Sequence, residues 1–489
     1  MTTSGGIDLK AKKIGFPGMS EMVSAEAAPE IRQTIRARAL ALPCTLALLL
    51  LLPLLMTIPS ASAQLLSCPI TTLFGDDQPG MVHISMTQEP TEMQVSWATE
   101  GQTDSVVEYG LDGTLDQSAT GSESCYNYDM VFHTATMTGL AADSNYSYHV
   151  GDGTVWTPTF NFNTLPSPAS SVKFIAFGDH GTSDEAKQTS EKVLQSDADF
   201  LILSGDISYA NGEQSVWDEY LIYNEPSMAS MPWMMVPGNH ENEASFGFDA
   251  YETRFEFPSD SNSDFWHSFD AGPVHFAGIS TEHDFSAGSA QYQWLSQDLA
   301  KANANRAETP WLVVFGHKPM YTSHGDASHD NDDLLRSELE QLFVEQGVNL
   351  VIWGHDHFHE RTWPVLNSTV QNRGVDDNGV DFSEPGAPIH VIAGTAGRGL
   401  YDYADDQPEW VYHREKTHGM LFITADSTTM SVEYETHAGE IGDVFTLYQV
   451  APPVEEDEES GILPGPSLLL MVLAFTLAAA RGREKPSRT

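Results

Sequence analysis

The chain of 489 residues is poor in cations: 23 lysines and arginines stand against 69 aspartates and glutamates, a formal charge of −46 at pH 7. Ten of the 23 cations sit at the two ends, so the stretch between residues 64 and 460 carries about 50 more acidic than basic groups. That sign excludes nucleic acid as a partner, because a phosphate backbone needs a basic surface. It suits a protein working in high salt, where a Debye length of about 3 Å at 1 M removes the self-repulsion. Cysteine is equally scarce. Cys44 lies inside an N-terminal apolar run, which leaves Cys68 and Cys125, enough for one disulfide in an exported domain, with lipid attachment at Cys68 ("LLSC") as the alternative.

Long apolar runs are missing from the middle and present at both ends. Arg32, Arg36 and Arg38 precede "ALALPCTLALLLLLPLLMTI", and Ala61 and Ala63 supply an A-x-A site. Residues 1–63 therefore read as a secretory signal cleaved after Ala63, with an uncleaved anchor as the alternative. At the other end, residues 451–460 ("APPVEEDEES") form an acidic Pro-rich spacer. Residues 461–489 hold an apolar segment followed by Arg481, Arg483 and Lys485, a stop-transfer pattern with a positive-inside tail. The tail also resembles the sorting signal of archaeal surface proteins, with Pro464-Gly465-Pro466 where that family has Pro-Gly-Phe. The expectation is an extracellular or cell-surface protein attached to the membrane at its C-terminus.

Two periods divide the middle. Within 64–166, short alternating segments ("MVHISMT", "EMQVSWAT", "SVVEYG", "VFHTATMTGL", "NYSYHVGD", "TFNFNT") separated by turn residues predict an antiparallel β-sandwich, with Trp97, Tyr146 and Tyr148 as core and corner residues. After a linker at "PSPAS", residues 167–450 alternate continuous apolar runs with amphipathic stretches such as "SDEAKQTSEKVLQSD", "SAQYQWLSQDLAKANA" and "DDLLRSELEQLFVEQG". This is an α/β pattern of buried strands and covering helices.

Five of those apolar runs end on glycine and then a group able to bind metal. They give Asp179; Asp206; Asn239 and His240; His317; and His355 with His357. Ligands in open α/β sheets collect outside the carboxyl ends of strands, so these groups should converge. Carboxylate, amide and imidazole donors without thiolate suit Fe, Mn or Zn rather than a soft Cu(I) or cluster site. Six such groups could hold two metals with Asp206 bridging, a pair that clamps both oxygens of a phosphoryl transfer.

The set Gly-Asp-x-Gly (178–181), Gly-Asp-x-x-Tyr (205–209), Gly-Asn-His-Glu (238–241), Val-x-x-His (314–317) and Gly-His-x-His (354–357) resembles the purple acid phosphatase family of calcineurin-like metallophosphoesterases. The blocks "STEHDFSAGSAQYQWLSQDL", "HERTWPV" and "PIHVIAGTAGRGL" extend the likeness, which covers residues 79–449. It implies a fibronectin-III-like sandwich ahead of an α/β (α+β) catalytic domain, itself two mixed β-sheets flanked by helices. Related enzymes carry Asp-x-His at the first metal; here Gly181 takes the place of that histidine, and Tyr209 would fill the vacancy as a phenolate on Fe(III). By resemblance the ferric site is Asp179, Asp206, Tyr209 and His357, and the site for divalent Fe, Zn or Mn is Asp206, Asn239, His317 and His355.

The chemistry so implied is hydrolysis of small organic phosphate monoesters by metal-bound hydroxide. His240 would contact the phosphoryl group, and His324, with His329 as rival, would protonate the leaving alkoxide. His359 is a candidate for supporting a metal ligand from behind, His275 a core residue, and Lys318, Arg361 and Arg398 are the few cations in reach of an anionic substrate. A phosphodiesterase or nucleotide pyrophosphatase on the same centre is the alternative. An inactive surface-binding protein is a remoter one, since all seven ligand positions are filled.

Overall fold

The computed structural model describes residues 68–449, apart from 168–169, 326–328, 330–331 and 376–377. The signal expected at 1–63 and the spacer and tail expected at 451–489 lie outside the described residues. Among the described residues no helix is long and apolar enough to cross a membrane.

Alternation of apolar and polar residues builds two four-stranded antiparallel sheets. One has the order β1 (Gly80–Met86), β2 (Glu92–Thr99), β6 (Val131–Thr138), β5 (Ser122–Ser124). The other runs β4 (Gln117–Thr120), β3 (Val106–Leu111), β7 (Asn145–Gly151), β8 (Phe160–Asn163). Val82, Ile84, Val95, Trp97, Val107 and Tyr148 fill the space between them, as expected when one face of each sheet is apolar. Strands β4 and β5 have no apolar alternation to announce them; "QSATGSES" pairs at the sheet edges through its backbone.

Tyr146 behaves as a corner residue, its hydroxyl accepting from the Ala141 N–H at 2.8 Å. Tyr148 does something else: its hydroxyl donates to the Ala229 carbonyl at 2.7 Å, in the following domain. More contacts tie the sandwich down. Glu225 accepts from the Val82 N–H at 2.9 Å, and the wholly buried Arg254 lies against the rings of Tyr126, Phe132 and Trp217. The expected disulfide joins Cys68 to Cys125, beside Tyr126.

The second half of the chain forms two seven-stranded mixed sheets. The first has the order β11 (Trp233–Val236), β10 (Phe200–Ser204), β9 (Ser171–Phe177), β22 (Gly419–Asp426), β23 (Thr429–Thr436), β24 (Ile441–Tyr448), β19 (Asp381–Ser383). The second runs β12 (His267–Ala271), β13 (Val274–Gly278), β14 (Trp311–Phe315), β15 (Leu350–Trp353), β20 (Ile389–Ala393), β16 (His359–Thr362), β21 (Val411–Glu415), and β17 (Val365–Leu366) and β18 (Thr369–Val370) form a separate two-stranded ribbon. Phe174 of β9 meets Phe276 of β13 edge-on at 5.0 Å, and Phe200 of β10 meets Phe276 at 5.2 Å, so the two sheets share one core.

The continuous apolar runs follow from burial on both faces. In β14 and β15, Val313, Phe315, Leu350 and Ile352 face the shared core. Their neighbours Leu312, Val314, Val351 and Trp353 pack with the helices Ala290–Ala304 and Asp333–Gln346 through Leu295, Leu299, Leu339 and Phe343. Side-chain caps start the three helices that were legible as amphipathic: Ser183 accepts from Ala186 N–H, Ser289 from Tyr292 N–H and Asp332 from Leu335 N–H. The helix Gln214–Met228 was not legible, since it lacks a polar face of regular period and carries Pro226 in its last turn. Strands β9, β10 and β11 are mutually parallel, as are β13, β14, β15 and β20. Their carboxyl ends carry the loops that form the site.

Candidate metal centre

The predicted groups converge in two overlapping clusters. In the first, the Tyr209 hydroxyl donates to Asp179 Oδ1 at 2.9 Å and lies 3.0 Å from His357 Nε2, which is itself 3.2 Å from Asp179 Oδ1. In the second, His317 Nε2 stands 3.3 Å from Asp206 Oδ1, 3.2 Å from Asn239 Oδ1 and 3.2 Å from His355 Nδ1. One ligand atom from each of Asp206, His317 and His355 falls within 4.8 Å of the others. The clusters are linked: Asp179 Oδ2 accepts from the His355 backbone N–H at 2.7 Å, and the charge of Asp206 acts on Tyr209 and His357 as well as on His317.

The glycine before each ligand has a steric reason. A Cβ on Gly205 would stand 2.6 Å from His317 Nδ1, one on Gly238 2.3 Å from Asp206 Oδ1, and one on Gly354 2.7 Å from Asp179 Oδ2. The ligand loops pack on one another's backbones, and side chains there would hold them apart. Asp179, Asp206, Tyr209 and His355 all have positive φ, between 54° and 69°. Such a conformation costs a non-glycine residue about 1–3 kcal/mol and persists where the surroundings over-determine it, typically at functional sites.

Tautomers are fixed from behind. His317 Nδ1 bonds the Ser204 carbonyl and His357 Nδ1 the Gly399 carbonyl, both at 2.8 Å, so each Nε2 faces the centre. A neutral His317 thus turns a lone pair toward the oxygens of Asp206 and Asn239. A proton on His317 relieves that contact: burial opposes it, but Asp206 together with Asp179 and Glu282 outweighs burial and raises the pKa to about 10. His355 moves the other way, to about 2, through burial and the neighbouring His317 and His329. Burial, then Asp179 and Asp206, hold Tyr209 well above the usual phenol range, so only a strong cation at its oxygen would release the phenolate. Two carboxylates, an amide, a phenol and three imidazoles gathered on a few ångströms fit a pair of hard to borderline metal ions.

His240, half-buried, sits at the mouth. Its backbone N–H donates to Asp206 Oδ1 at 2.9 Å, its Nδ1 bonds Asn211 Oδ1, its Nε2 stands 3.8 Å from Asp206 Oδ2, and its ring lies 4.3 Å from that of Tyr209. His324 and His329 form a stack beside His355: His329 lies 4.5 Å from the His355 ring and 4.5 Å from His324. His329 Nδ1 is 3.0 Å from Asp356 Oδ1, a fully buried carboxylate between two ligands.

Other residues belong elsewhere. His180 turns its ring away from the centre, toward Tyr220 and the Ala186 carbonyl, each at 3.0 Å. His359 and Arg361 are both buried on Asp443, Arg361 through two bonds of 2.7 and 2.8 Å. Arg361 is therefore a core ion pair and not a cation available to substrate, a correction to the sequence reading. His275 is buried as expected, yet it lies between Asp270 at 2.6 Å and Asp298 at 2.9 Å.

Two contributors escaped the sequence reading. Glu241, 1% exposed, accepts from the backbone N–H of Asp206 (2.9 Å), Ile207 (2.9 Å) and Gly238 (2.7 Å), clamping two ligand loops together. Its place in Gly-Asn-His-Glu was the available signal. The loop after β20 supplies Gly399 and also Tyr401, whose ring stacks on His357 at 3.9 Å; a sixth strand ending on glycine was the signal there.

Comparison with known proteins agrees with this geometry. The purple acid phosphatase N-terminal domain model matches residues 79–164, the calcineurin-like phosphoesterase model residues 172–359, and the iron/zinc purple acid phosphatase-like C-terminal model residues 387–444. Acid phosphatase type 7 of Danio rerio is 34% identical over 413 residues, 76% of this chain and 91% of that protein. Probable purple acid phosphatase 20 of Arabidopsis thaliana is 34% identical over 365 residues, 71% of this chain and 81% of that protein. The purple acid phosphatase from yellow lupin seeds shares the fold, with a TM-score of 0.71 at 23% identity over 76% of this chain and 75% of its own. The chain belongs to the purple acid phosphatase family, and is a metal-dependent phosphoric ester hydrolase of the kind that works with a dinuclear metal centre.

Proposed function

We propose that the protein is an exported acid phosphatase that releases inorganic phosphate from small phosphate monoesters. The observation carrying the reading is the Tyr209 hydroxyl set between Asp179 and His357 on the side where Gly181 presents no side chain. Asp179, Asp206, Tyr209 and His357 would hold Fe(III), and Asp206, Asn239, His317 and His355 a divalent Fe, Zn or Mn. Bound there, the two ions supply a nucleophilic water in mildly acidic solution and Lewis-acid neutralisation of the phosphate.

The chain's own residues do the rest. His240 meets the phosphoryl group with the nitrogen that faces the centre, since Asn211 occupies the other; protonated, it stabilises the charge developing on a phosphoryl oxygen. The leaving alkoxide takes its proton from the two-ring stack of His324 and His329. His324 is the residue the sequence singles out, and His329, bonded to Asp356, is the ring nearer the ligands. Glu241 keeps the Asp206 and Asn239 loops in register while these steps proceed. The N-terminal apolar segment and the Cys68–Cys125 bond support export, and the apolar run and basic tail beyond residue 460 support attachment to a membrane.

The test is turnover of p-nitrophenyl phosphate against bis(p-nitrophenyl) phosphate in mildly acidic buffer, with metal content measured on the same sample. Two metals per chain and preferred turnover of the monoester are expected. Preferred turnover of the diester would overturn the monoester reading and favour the phosphodiesterase alternative.

A further inference from the structure

Asp356 stands between the ligands His355 and His357 in the chain, yet its carboxylate takes no part in the two clusters described above. It is fully buried, and its one ion pair among the described residues is with His329, Nδ1 to Oδ1 at 3.0 Å. The other oxygen, Oδ2, is buried without a hydrogen-bond partner. A carboxylate taken out of water and only half satisfied is costly unless a cation meets it. Among the described residues no lysine or arginine pairs with it.

Two imidazoles stand where such a cation would be held. One nitrogen of His324, one of His329 and one oxygen of Asp356 all fall within 4.8 Å of one another. The two rings stack at 4.5 Å with 27° between their planes, an arrangement in which both edges can face one point. The backbone around them is pinned. The Asp356 N–H donates to the Gly354 carbonyl at 2.9 Å, and its own carbonyl accepts from the Phe358 N–H at 2.8 Å. A Cβ on Gly394 would come within 2.3 Å of that carbonyl oxygen, so the end of β20 packs directly on this turn. His324 bridges to Tyr403 in the antiparallel sense, flanked by the Ala404 N–H on the Ser323 carbonyl (2.7 Å) and the Gly325 N–H on the Asp402 carbonyl (3.2 Å). His329, 22% exposed at its side chain, leaves a path from solvent.

We propose that His324, His329 and Asp356 form a third metal site, which takes Zn2+ from solution and, when filled, switches the phosphatase off. Two imidazoles and a carboxylate with one open side match the three protein ligands and water that zinc accepts; Mg2+ and Ca2+ prefer oxygen alone. Three ligands make the site weaker than the two-metal centre, where each ion has four. The purified protein therefore keeps two metals, and the third position fills only from added zinc. Binding releases any proton on the imidazoles to solvent. A ring nitrogen bound to zinc has no proton to give the leaving alkoxide. That consequence rests on the phosphatase reading above, whereas the binding itself does not.

The test starts from protein holding two metals per chain and adds Zn2+ in equilibrium dialysis, with excess Mg2+ to occupy the acidic surface. Wild type should take up a third equivalent. His329→Gln and Asp356→Asn should each weaken that uptake by about 10- to 100-fold or more, since loss of a group that merely orients a ligand already costs this much. If Asp356→Asn disturbs the neighbouring ligands and loses the resident metals, His329→Gln decides alone. Turnover of p-nitrophenyl phosphate by wild type should fall with the same midpoint as zinc uptake, and the residual turnover of His329→Gln should need about tenfold more zinc or greater to fall. A wild type that takes up no third zinc overturns the site, as does a third zinc held equally by His329→Gln. A third zinc bound without loss of turnover overturns the switch. If wild type hydrolyses no phosphate ester, the phosphatase reading fails, and the zinc count still decides the site.

Discussion

Glu241→Gln is the substitution whose outcome follows most directly from the geometry. The carboxylate is buried and accepts three backbone N–H bonds, two on Oε2 from Asp206 and Gly238 and one on Oε1 from Ile207. Glutamine is nearly isosteric, but one of its two terminal atoms is a donor. With its oxygen placed at Oε2 it keeps the first two bonds and sets an NH2 group against the Ile207 N–H. Burial and then the charge of Asp206 push the Glu241 pKa up to about 8 against the pull of its N–H donors, so above that pH the cost is one charge-assisted bond, about 1.5–3 kcal/mol, and below it that of a neutral bond, about 0.5–1.5 kcal/mol. Glu241→Ala strands all three donors and should cost roughly twice as much. The damage falls on Asp206, already at φ +54°, and on the Gly238–Asn239 turn, so metal retention should fall with stability. Urea unfolding and metal content on the same preparations provide the assay. A Glu241→Gln protein with wild-type midpoint and full metal content would refute the claim that this carboxylate clamps the two loops.

Gly181→Ala puts a Cβ against Arg398 and Tyr209 at a φ of +79°, and should cost about 1–3 kcal/mol in thermal or urea unfolding; unchanged stability would mean the space there has slack. The imidazole of His275, which burial would keep neutral, is raised to about 9 by its bonds to Asp270 and Asp298. Since its folded-state pKa lies above the ordinary 6.5, its stabilising effect is complete below pH 6.5 and is lost as pH rises through 9. The size is at most about 3 kcal/mol, reduced by solvent screening because Asp270 is half exposed. Unfolding measured from pH 6 to pH 10 should show this decline in wild type and a flatter profile in His275→Gln, and parallel profiles would contradict it.

The ligand loops were legible because each combines two strong local signals. A strand buried on both faces reads as an unbroken apolar run, and a loop pressed against other loops needs glycine before the ligand; Gly205, Gly238 and Gly354 all meet that need. Tyr209 was legible through an absence, the missing histidine at Gly181. What the sequence does not carry is partnership over long separations. Arg361 and Asp443 lie 82 residues apart, and nothing local marks that arginine as consumed in the core. Tyr148 looks like its neighbour Tyr146, yet one bonds within the sandwich and the other across to Ala229. The edge strands β4 and β5 are polar because their stability comes from backbone pairing, which leaves no period to read.

The proposed bond of Tyr209 to a ferric ion in a two-metal centre would show in the visible spectrum of the iron-supplied protein. A broad charge-transfer absorption is expected with two metals per chain, absent in a Tyr209→Phe protein that remains folded. A colourless wild type holding two metals, or a band that survives Tyr209→Phe, would contradict it.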